Sequence, residues 1–136
     1  MAKQILLAEN NAADADEILR ALQKAGLTNP VVTVTDGEET LAYLRAAGQF
    51  VDREKFPLPS VLLLNLQLPR RNGLEVLEWL TLQPQLTNML MVVLSAYDNP
   101  TEISRAYRLG AHTSLIKPIR PEDITRLKSA FYRYWT

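Results

Sequence analysis

The chain has 136 residues, of which 47% are hydrophobic and 22% are charged, a balance typical of one globular domain with one core. Its 15 basic and 15 acidic residues give a formal net charge of zero, so its overall charge favours neither nucleic acid nor an anionic membrane as a partner. With no cysteine and a single histidine, His112, disulfides, thiolate chemistry and histidine-rich metal centres are excluded.

The amino-terminal apolar run is short and is followed at once by Glu9 and Asn10, which excludes the apolar region of a signal peptide. No apolar stretch approaches the roughly 18 residues that a membrane-spanning helix requires. We therefore expect a cytoplasmic protein that contacts neither membrane nor nucleic acid.

Short apolar runs alternate with segments of helical periodicity, which indicates βαβ units around a parallel sheet. The first predicted strand covers residues 5–8, and a helix follows between Asp14, a possible N-cap, and Gly26, a possible stop. A β-branched run predicts a second strand over 31–34, with a helix over 38–47 after it. Residues 48–59 contain mixed charge and two prolines, so we interpret them as a loop anchored by Phe50 and Phe56.

Three more strand and helix pairs are predicted in the second half of the chain. In order, they cover residues 61–65 and 73–82, then 89–94 and 100–109, and finally 113–116 and 121–134. Asp98 or Asn99 is expected to cap the fourth helix. The prediction is one α/β domain over residues 1–136, with five βα units in a doubly wound fold.

Several short motifs occur in a specific order along these elements. They are Leu6-Leu7-Ala8-Glu9-Asn10-Asn11, Leu64-Asn65-Leu66-Gln67-Leu68-Pro69 with Asn72-Gly73, Val92-Val93-Leu94-Ser95-Ala96, Leu109-Gly110-Ala111 and Ile116-Lys117-Pro118. Together they resemble the response-regulator receiver domain, and the chemotaxis receiver within that family. The resemblance implies a flavodoxin-like, five-stranded parallel sheet in the order 2-1-3-4-5 with five helices. The long segment 45–59 is similar to that of single-domain response regulators associated with phytochromes.

The resemblance also implies which residues form the site. In this family an aspartate at the end of the third strand accepts a phosphoryl group, and here that position is Asn65. Glu9 and Asn10 stand at the two acidic positions that help to hold Mg²⁺, while Ser95 and Lys117 match the residues that bind the phosphoryl oxygens. Ser114 replaces the aromatic ring that moves when the domain is phosphorylated.

An amide has no carboxylate oxygen with which to attack phosphorus, so an acyl phosphate cannot form on Asn65. Replacement of acids at Asn10 and Asn65 removes about two negative charges from the pocket, and we expect Mg²⁺ binding to be weak or absent. No other cofactor is predicted. Lys117 is expected to hydrogen-bond Asn65 or to pair with Glu9, because an unpaired buried ammonium is costly.

The leading hypothesis is a pseudo-receiver of a two-component system that has no enzymatic activity and acts through protein–protein contacts. Two alternatives remain: a phosphorylatable receiver in which the acceptor aspartate has been replaced, and a flavodoxin-like domain that binds a small ligand. The second alternative lacks a glycine-rich phosphate loop after the first strand.

The predicted partners are a phytochrome-type histidine kinase, another response regulator or a second copy of this chain. Aromatic residues near the last two helices are expected to form a homodimer interface, because such residues are enriched where proteins meet. These residues are Tyr97, Tyr107, Phe131, Tyr132 and Trp135.

Overall fold

A computed structural model describes residues 3–96 and 99–136. Its strands are β1 (Ile5–Ala8), β2 (Val31–Val34), β3 (Val61–Asn65), β4 (Leu90–Ser95) and β5 (Thr113–Ile116). They form one parallel sheet in the order β2-β1-β3-β4-β5, which confirms the predicted flavodoxin-like topology. Four strands begin where the sequence predicts, and β4 begins and ends one residue later.

Five α-helices connect or follow these strands within the described residues. They are α1 (Ala12–Lys24), α2 (Gly37–Arg45), α3 (Gly73–Leu80), α4 (Pro100–Arg108) and α5 (Pro121–Ala130). Single turns of 3-10 helix lie at Gly48–Phe50, Pro84–Leu86 and Tyr132–Tyr134. The first four α-helices each begin after an Asn or Asp whose side-chain oxygen accepts a backbone N–H of the first turn.

Two helix ends differ from the prediction by three residues or more, and α2, α3 and α4 end one or two residues earlier than predicted. Asn11, not Asp14, caps α1, and this leaves the Asp14 side chain available for another contact. The last helix stops at Ala130 instead of continuing to residue 134, because later carbonyls accept tertiary hydrogen bonds. Lys3 Nζ donates to Arg133 O, Ser60 Oγ to Tyr134 O and Asn29 Nδ2 to Trp135 O.

The two faces of the sheet carry separate apolar cores because side chains alternate along each strand. Leu6, Leu62 and Val93 belong to the core under α2, α3 and α4, whereas Ile5 and Leu63 belong to the core under α1 and α5. The central strands β1, β3 and β4 are buried along their whole length. This leaves the strand ends as the places where polar side chains can gather.

Residues 46–60 connect α2 to β3 and are held by aromatic contacts, as predicted. Phe50 is buried, and its ring centroid lies 5.0 Å from that of Tyr43 and 5.1 Å from that of Phe56. The Tyr43 hydroxyl donates to Pro57 O at 2.9 Å. These contacts fix the path by which the chain returns to the start of β3.

None of the helices in the described residues has both the length and the apolar character needed to cross a bilayer.

Candidate functional site

Because the strands are parallel, four of the predicted site residues lie together at the carboxyl ends of the strands. Glu9 follows β1, Asn65 ends β3, Ser95 ends β4 and Lys117 follows β5. Asn65 is in register with Leu94, and Ser95 with Ile116, so these side chains leave the sheet at the same level. Polar groups at the carboxyl ends of parallel strands form the binding crevice of open α/β folds.

The Asn65 amide is buried and hydrogen-bonded to its neighbours at both its nitrogen and its oxygen. Its Nδ2 donates to Glu9 Oε2 at 3.1 Å and to Asn10 Oδ1 at 3.0 Å, while its Oδ1 accepts the Gln67 backbone N–H at 3.1 Å. Rotating the amide by half a turn would set two acceptors against each other at Glu9 and two donors at Gln67. The network therefore determines which end of the amide faces Glu9.

A charged triad lies beside the amide. Lys117 Nζ is 2.5 Å from Glu9 Oε1 and 3.1 Å from Asp14 Oδ2, and the Glu9 side chain is 0% exposed while that of Lys117 is 11% exposed. The approach to Glu9 Oε1 is a charge contact without hydrogen-bond alignment, since that oxygen has no aligned donor among the described residues. The predicted pairing of Lys117 with Glu9 is confirmed, and no hydrogen bond joins Lys117 to Asn65 among the described contacts.

Asp14 is a site residue that the sequence interpretation missed, because it was assigned to the helix cap. It stands one turn into α1 on the side that faces Lys117, and this position follows from the helix starting at Ala12. The signal was present in the sequence: three successive polar residues, Glu9-Asn10-Asn11, offer an earlier cap.

A divalent cation does not fit the pocket in this arrangement. Mg²⁺ requires oxygen ligands at about 2.1 Å, yet the Asn65 N–H₂ group lies between Glu9 Oε2 and Asn10 Oδ1 and donates to both. Glu9 Oε2 also accepts the Asn11 backbone N–H at 3.1 Å. Within the described residues, no three His, Cys, Asp or Glu side chains gather as metal ligands would.

The turn after Asn65 is tight and depends on glycine. A Cβ placed on Gly73 would lie 2.7 Å from Asn65 O and 2.8 Å from Leu66 Cα, closer than real atoms approach. Gly73 N donates to Leu66 O at 3.0 Å, so the start of α3 is held directly against the end of β3. On the other side of the pocket, the Lys117-Pro118 peptide bond is cis.

Ion pairs hold the outer part of the same turn. Arg71 Nε lies 2.8 Å from Glu38 Oε1, and Arg71 also reaches Glu75. The hydrogen bond and charge of Glu38, with a smaller effect from Glu75, raise the pKa of Arg71 above its usual value. Because all three side chains are about half exposed, these pairs position the turn more than they stabilise it.

Gln67 is a second residue that the sequence interpretation missed. Its Nε2 donates to Glu102 Oε1 on α4 at 2.7 Å, and its Oε1 accepts the Ala96 backbone N–H at 3.4 Å. The Gln67 backbone N–H also donates to Asn65 Oδ1, so this residue connects the end of β3 to the start of α4. A variable position inside the receiver-like motif gave no signal for this role.

The predicted switch position is separated from the pocket. Ser114 Oγ lies 3.2 Å from Tyr107 Oη on α4, so its hydroxyl is engaged on the outer side of β5. Ser95 is buried at the end of β4, and its carbonyl accepts the Lys117 backbone N–H at 2.8 Å. Tyr107 on α4 thus contacts β5 through its hydroxyl.

The predicted interface residues fall into different environments. Tyr107 and Tyr132 are exposed, Phe131 is half-buried against His112 and Tyr134, and Tyr97 lies outside the described residues. The assignment of Trp135 to an interface is wrong, since its side chain is 3% exposed and packs into the core under α1 and α5. The chain turns out of the helix after Ala130, and this change of direction carries Trp135 inward.

Known proteins support a family assignment for this fold and site. The response regulator receiver domain profile matches residues 5–128. The chain is 34% identical to the probable methanogenesis regulatory protein FilR2 of Methanothrix harundinacea, over 96% of this chain and 82% of that protein.

Solved structures agree with this assignment. Bacteriophytochrome response regulator RtBRR superposes with a TM-score of 0.88 at 34% identity, covering 100% of this chain and 81% of that one. The Mn(2+)-bound form of response regulator Rcp1, a protein of Synechocystis, superposes with a TM-score of 0.79 at 28% identity, over 96% of this chain and 94% of that chain. The Rcp1 structure thus contains Mn²⁺, and phytochrome-associated response regulators are close structural neighbours of this protein. This chain belongs to the response regulator receiver family.

Proposed function

We propose that this chain is a two-component receiver that signals without being phosphorylated and catalyses no phosphoryl transfer of its own. The observation that supports this most directly is the Asn65 amide, whose Nδ2 binds Glu9 and Asn10 where an active receiver has a carboxylate and a cation. A phosphoryl group needs an oxygen nucleophile, and Asn65 Oδ1 is a neutral amide oxygen that accepts a backbone hydrogen bond.

The readout side of the pocket supports the same proposal. In the family, a ring on β5 turns toward the hydroxyl at the end of β4. Ser114 has no ring, and its hydroxyl is bonded to Tyr107 on the outer surface. We infer that a partner recognises the surface over α4 and β5 without any change at Asn65.

We propose that the partner is a phytochrome-type histidine kinase or another response regulator. The support is the similarity to RtBRR, which carries the name of a bacteriophytochrome response regulator. A receiver that binds such a partner and takes no phosphoryl group would compete with an active receiver for the same surface.

The proposal is tested by intact mass after incubation with acetyl phosphate and Mg²⁺. We expect no added phosphoryl group on the native chain, and an adduct there would overturn the proposal. The doubly substituted Asn10→Asp/Asn65→Asp chain is the positive control, because it restores both missing carboxylates. Asn72→Asp is the matched negative control, since it adds a carboxylate at an exposed helix cap outside the pocket.

The single variant Asn65→Asp separates the proposal from its alternative. If the replaced acceptor is the only defect, this variant should gain a phosphoryl group as readily as the double variant. If the whole pocket has diverged, Asn65→Asp should remain largely unmodified because Asn10 still lacks the charge that holds Mg²⁺.

We also propose that the chain self-associates through α4, β5 and α5. The support is the exposure of Tyr107, Ile116 and Tyr132, large side chains that have room for a partner. Sedimentation velocity should show a dimer that Tyr107→Glu dissociates. Leu82→Glu, at an exposed leucine just beyond α3, should leave the dimer intact.

A further inference from the structure

Two depressions adjoin at the edge of the sheet where the strands begin, away from the Asn65 pocket. The first encloses about 520 Å³ between the end of α2, residue 53 and the end of α3. The second encloses about 500 Å³ between Lys3, residues 57–60 and residues 88–89. They share Leu58, Gln85 and Leu86, and together we call them the amino-edge groove.

The groove exposes apolar surface where its two depressions meet. Leu58 belongs to both depressions and is 49% exposed, flanked by Pro57 and Pro59 in the second depression. Trp79 lines the first depression and is partly buried. An exposed leucine beside an aromatic ring resembles the apolar centre of an interface in chemistry and size.

The charges along the groove have one sign. Arg45 and Arg53 line the first depression and Lys3 lines the second, while no Asp or Glu of the described residues lines either one. The chain as a whole has no net charge, so this is a local excess of positive charge. The acidic residues of the neighbouring segment, Asp52 and Glu54, lie outside the lining, and Asp52 Oδ1 accepts the Glu54 backbone N–H.

The wall of the first depression is fixed before any partner binds. Arg53 donates to Leu44 O and to Phe56 O, both at 2.9 Å, and its guanidinium lies 5.7 Å from the centroid of the Tyr43 ring. Arg45, in contrast, is exposed and has no ion pair among the described residues. A preformed wall lowers the ordering cost of binding, and a free guanidinium at the rim can pair with a carboxylate.

We propose that the amino-edge groove binds an acidic segment of a partner protein. The segment carries two apolar side chains, one for each depression, with Asp or Glu residues placed to meet Arg45 and Lys3. Leu58 packs between the two apolar side chains. This surface is separate from Asn65 and from the face formed by α4, β5 and α5, so a partner can bind it without a change at either place.

The test uses a displayed library of short random peptides selected on the native chain. We expect enriched peptides to combine Asp or Glu with Leu, Ile or Phe, and to bind Leu58→Glu and Arg45→Glu at least about tenfold more weakly. Val51→Glu is the matched control, since Val51 is 68% exposed and lines neither depression, and it should bind normally. Binding should weaken as salt is added.

Tryptophan fluorescence provides a second, local readout. The chain has two tryptophans, and Trp135 is buried in the core, so Trp79 should report a peptide that enters the first depression. The proposal is overturned if no acidic peptide is enriched, or if enriched peptides bind the native chain and Leu58→Glu equally. It is also overturned if Leu58→Glu abolishes self-association in sedimentation, because the groove would then be an interface between copies of this chain.

Discussion

The polar groups at the two ends of the parallel strands are hydrogen-bonded in different ways. We call the end where the strands begin the amino edge and the end where they finish the carboxyl edge. At the carboxyl edge, side chains from neighbouring strand ends satisfy one another: Asn65 binds Glu9 and Asn10, and Lys117 lies between two carboxylates. At the amino edge, side chains of Lys3, Asn29 and Ser60 instead bind backbone carbonyls of the last four residues. At the carboxyl edge, the polar side chains form a closed pocket. At the amino edge, segments that are far apart in the sequence bind each other, and the amino-edge groove lies open beside them.

This difference places the two kinds of chemistry at opposite ends of the molecule. At the carboxyl edge, polar side chains bind one another, while the amino edge presents apolar and basic surface to solvent. We therefore predict separately, for each edge, which residues stabilise the fold.

The largest expected effect is at the amino edge, where Trp135→Ala removes a buried ring from the core. We expect the free energy of unfolding to fall by about 4 kcal/mol, as for other large-to-small changes in a packed interior. Urea unfolding followed by circular dichroism measures the loss. Leu82→Ala, at an exposed leucine outside the proposed interface, should cost less than about 0.5 kcal/mol. Equal losses would show that the closing segment does not pack as described.

The carboxyl edge should respond next, through Lys117→Met. Removing the ammonium leaves the wholly buried Glu9 side chain without its cationic partner, and such losses of one partner cost about 3 kcal/mol. Urea unfolding should show that adding Glu9→Gln to this variant restores part of the stability, because the buried charge is then gone. Lys55→Met, at an exposed position with no described ion pair, is the control and should be near neutral. If Lys117→Met is also neutral, the triad contributes little to the fold.

A smaller loss is expected from Gly73→Ala, which tests how tightly the carboxyl edge is closed. The new methyl group would overlap Asn65 O and Leu66 Cα, and relief of such crowding costs about 2 kcal/mol. Gly48→Ala is the comparison at the amino edge, where a Cβ meets open space but φ is +59°. Its cost should be about 1 kcal/mol, from backbone strain alone. Thermal unfolding of both variants measures these losses of stability. If Gly73→Ala cost less than Gly48→Ala, the turn at Gly73 would not be as tightly packed as described.

The sequence predicted the carboxyl edge well because its signals are local. Apolar runs fix the strands, parallel strands bring their ends together, and polar residues at those ends must therefore meet, as Glu9, Asn65 and Lys117 do. Asp14 was misassigned because two helix caps, Asn11 and Asp14, were chemically acceptable, and only the packing of α1 against the pocket decides between them.

The amino edge was predicted poorly because its contacts span the chain. Lys3 and Arg133 are 130 positions apart, and periodicity alone continued the last helix to residue 134. Helical spacing thus placed Trp135 on the outside, whereas hydrogen bonds to Asn29 and Ser60 end the helix early and turn it inward. The aromatic loop anchors, Phe50 and Phe56, were the exception, because bulky apolar side chains in a charged loop already indicate burial.

The smallest predicted effect, from Tyr43→Phe, tests the anchoring of residues 46–60 at the amino edge. Loss of the hydroxyl that donates to Pro57 O should cost about 1 kcal/mol at neutral pH, leaving the ring contacts with Phe50 and Phe56 in place. Burial raises the pKa of Tyr43 above its ordinary 10.0, and the charge of Arg53 opposes part of that rise.

Because the pKa is higher in the folded state, the folded chain holds this proton more tightly than the unfolded chain does. The resulting stabilisation is complete below pH 10.0 and is lost as the pH rises through the folded-state value. Urea unfolding at neutral pH and above pH 10.0 should therefore show the stability of the native chain falling toward that of Tyr43→Phe. If the free energies of unfolding of the two proteins differed by the same amount at every pH, Tyr43 would have the same pKa in the folded and unfolded states. Its hydroxyl would then not be buried beneath residues 46–60.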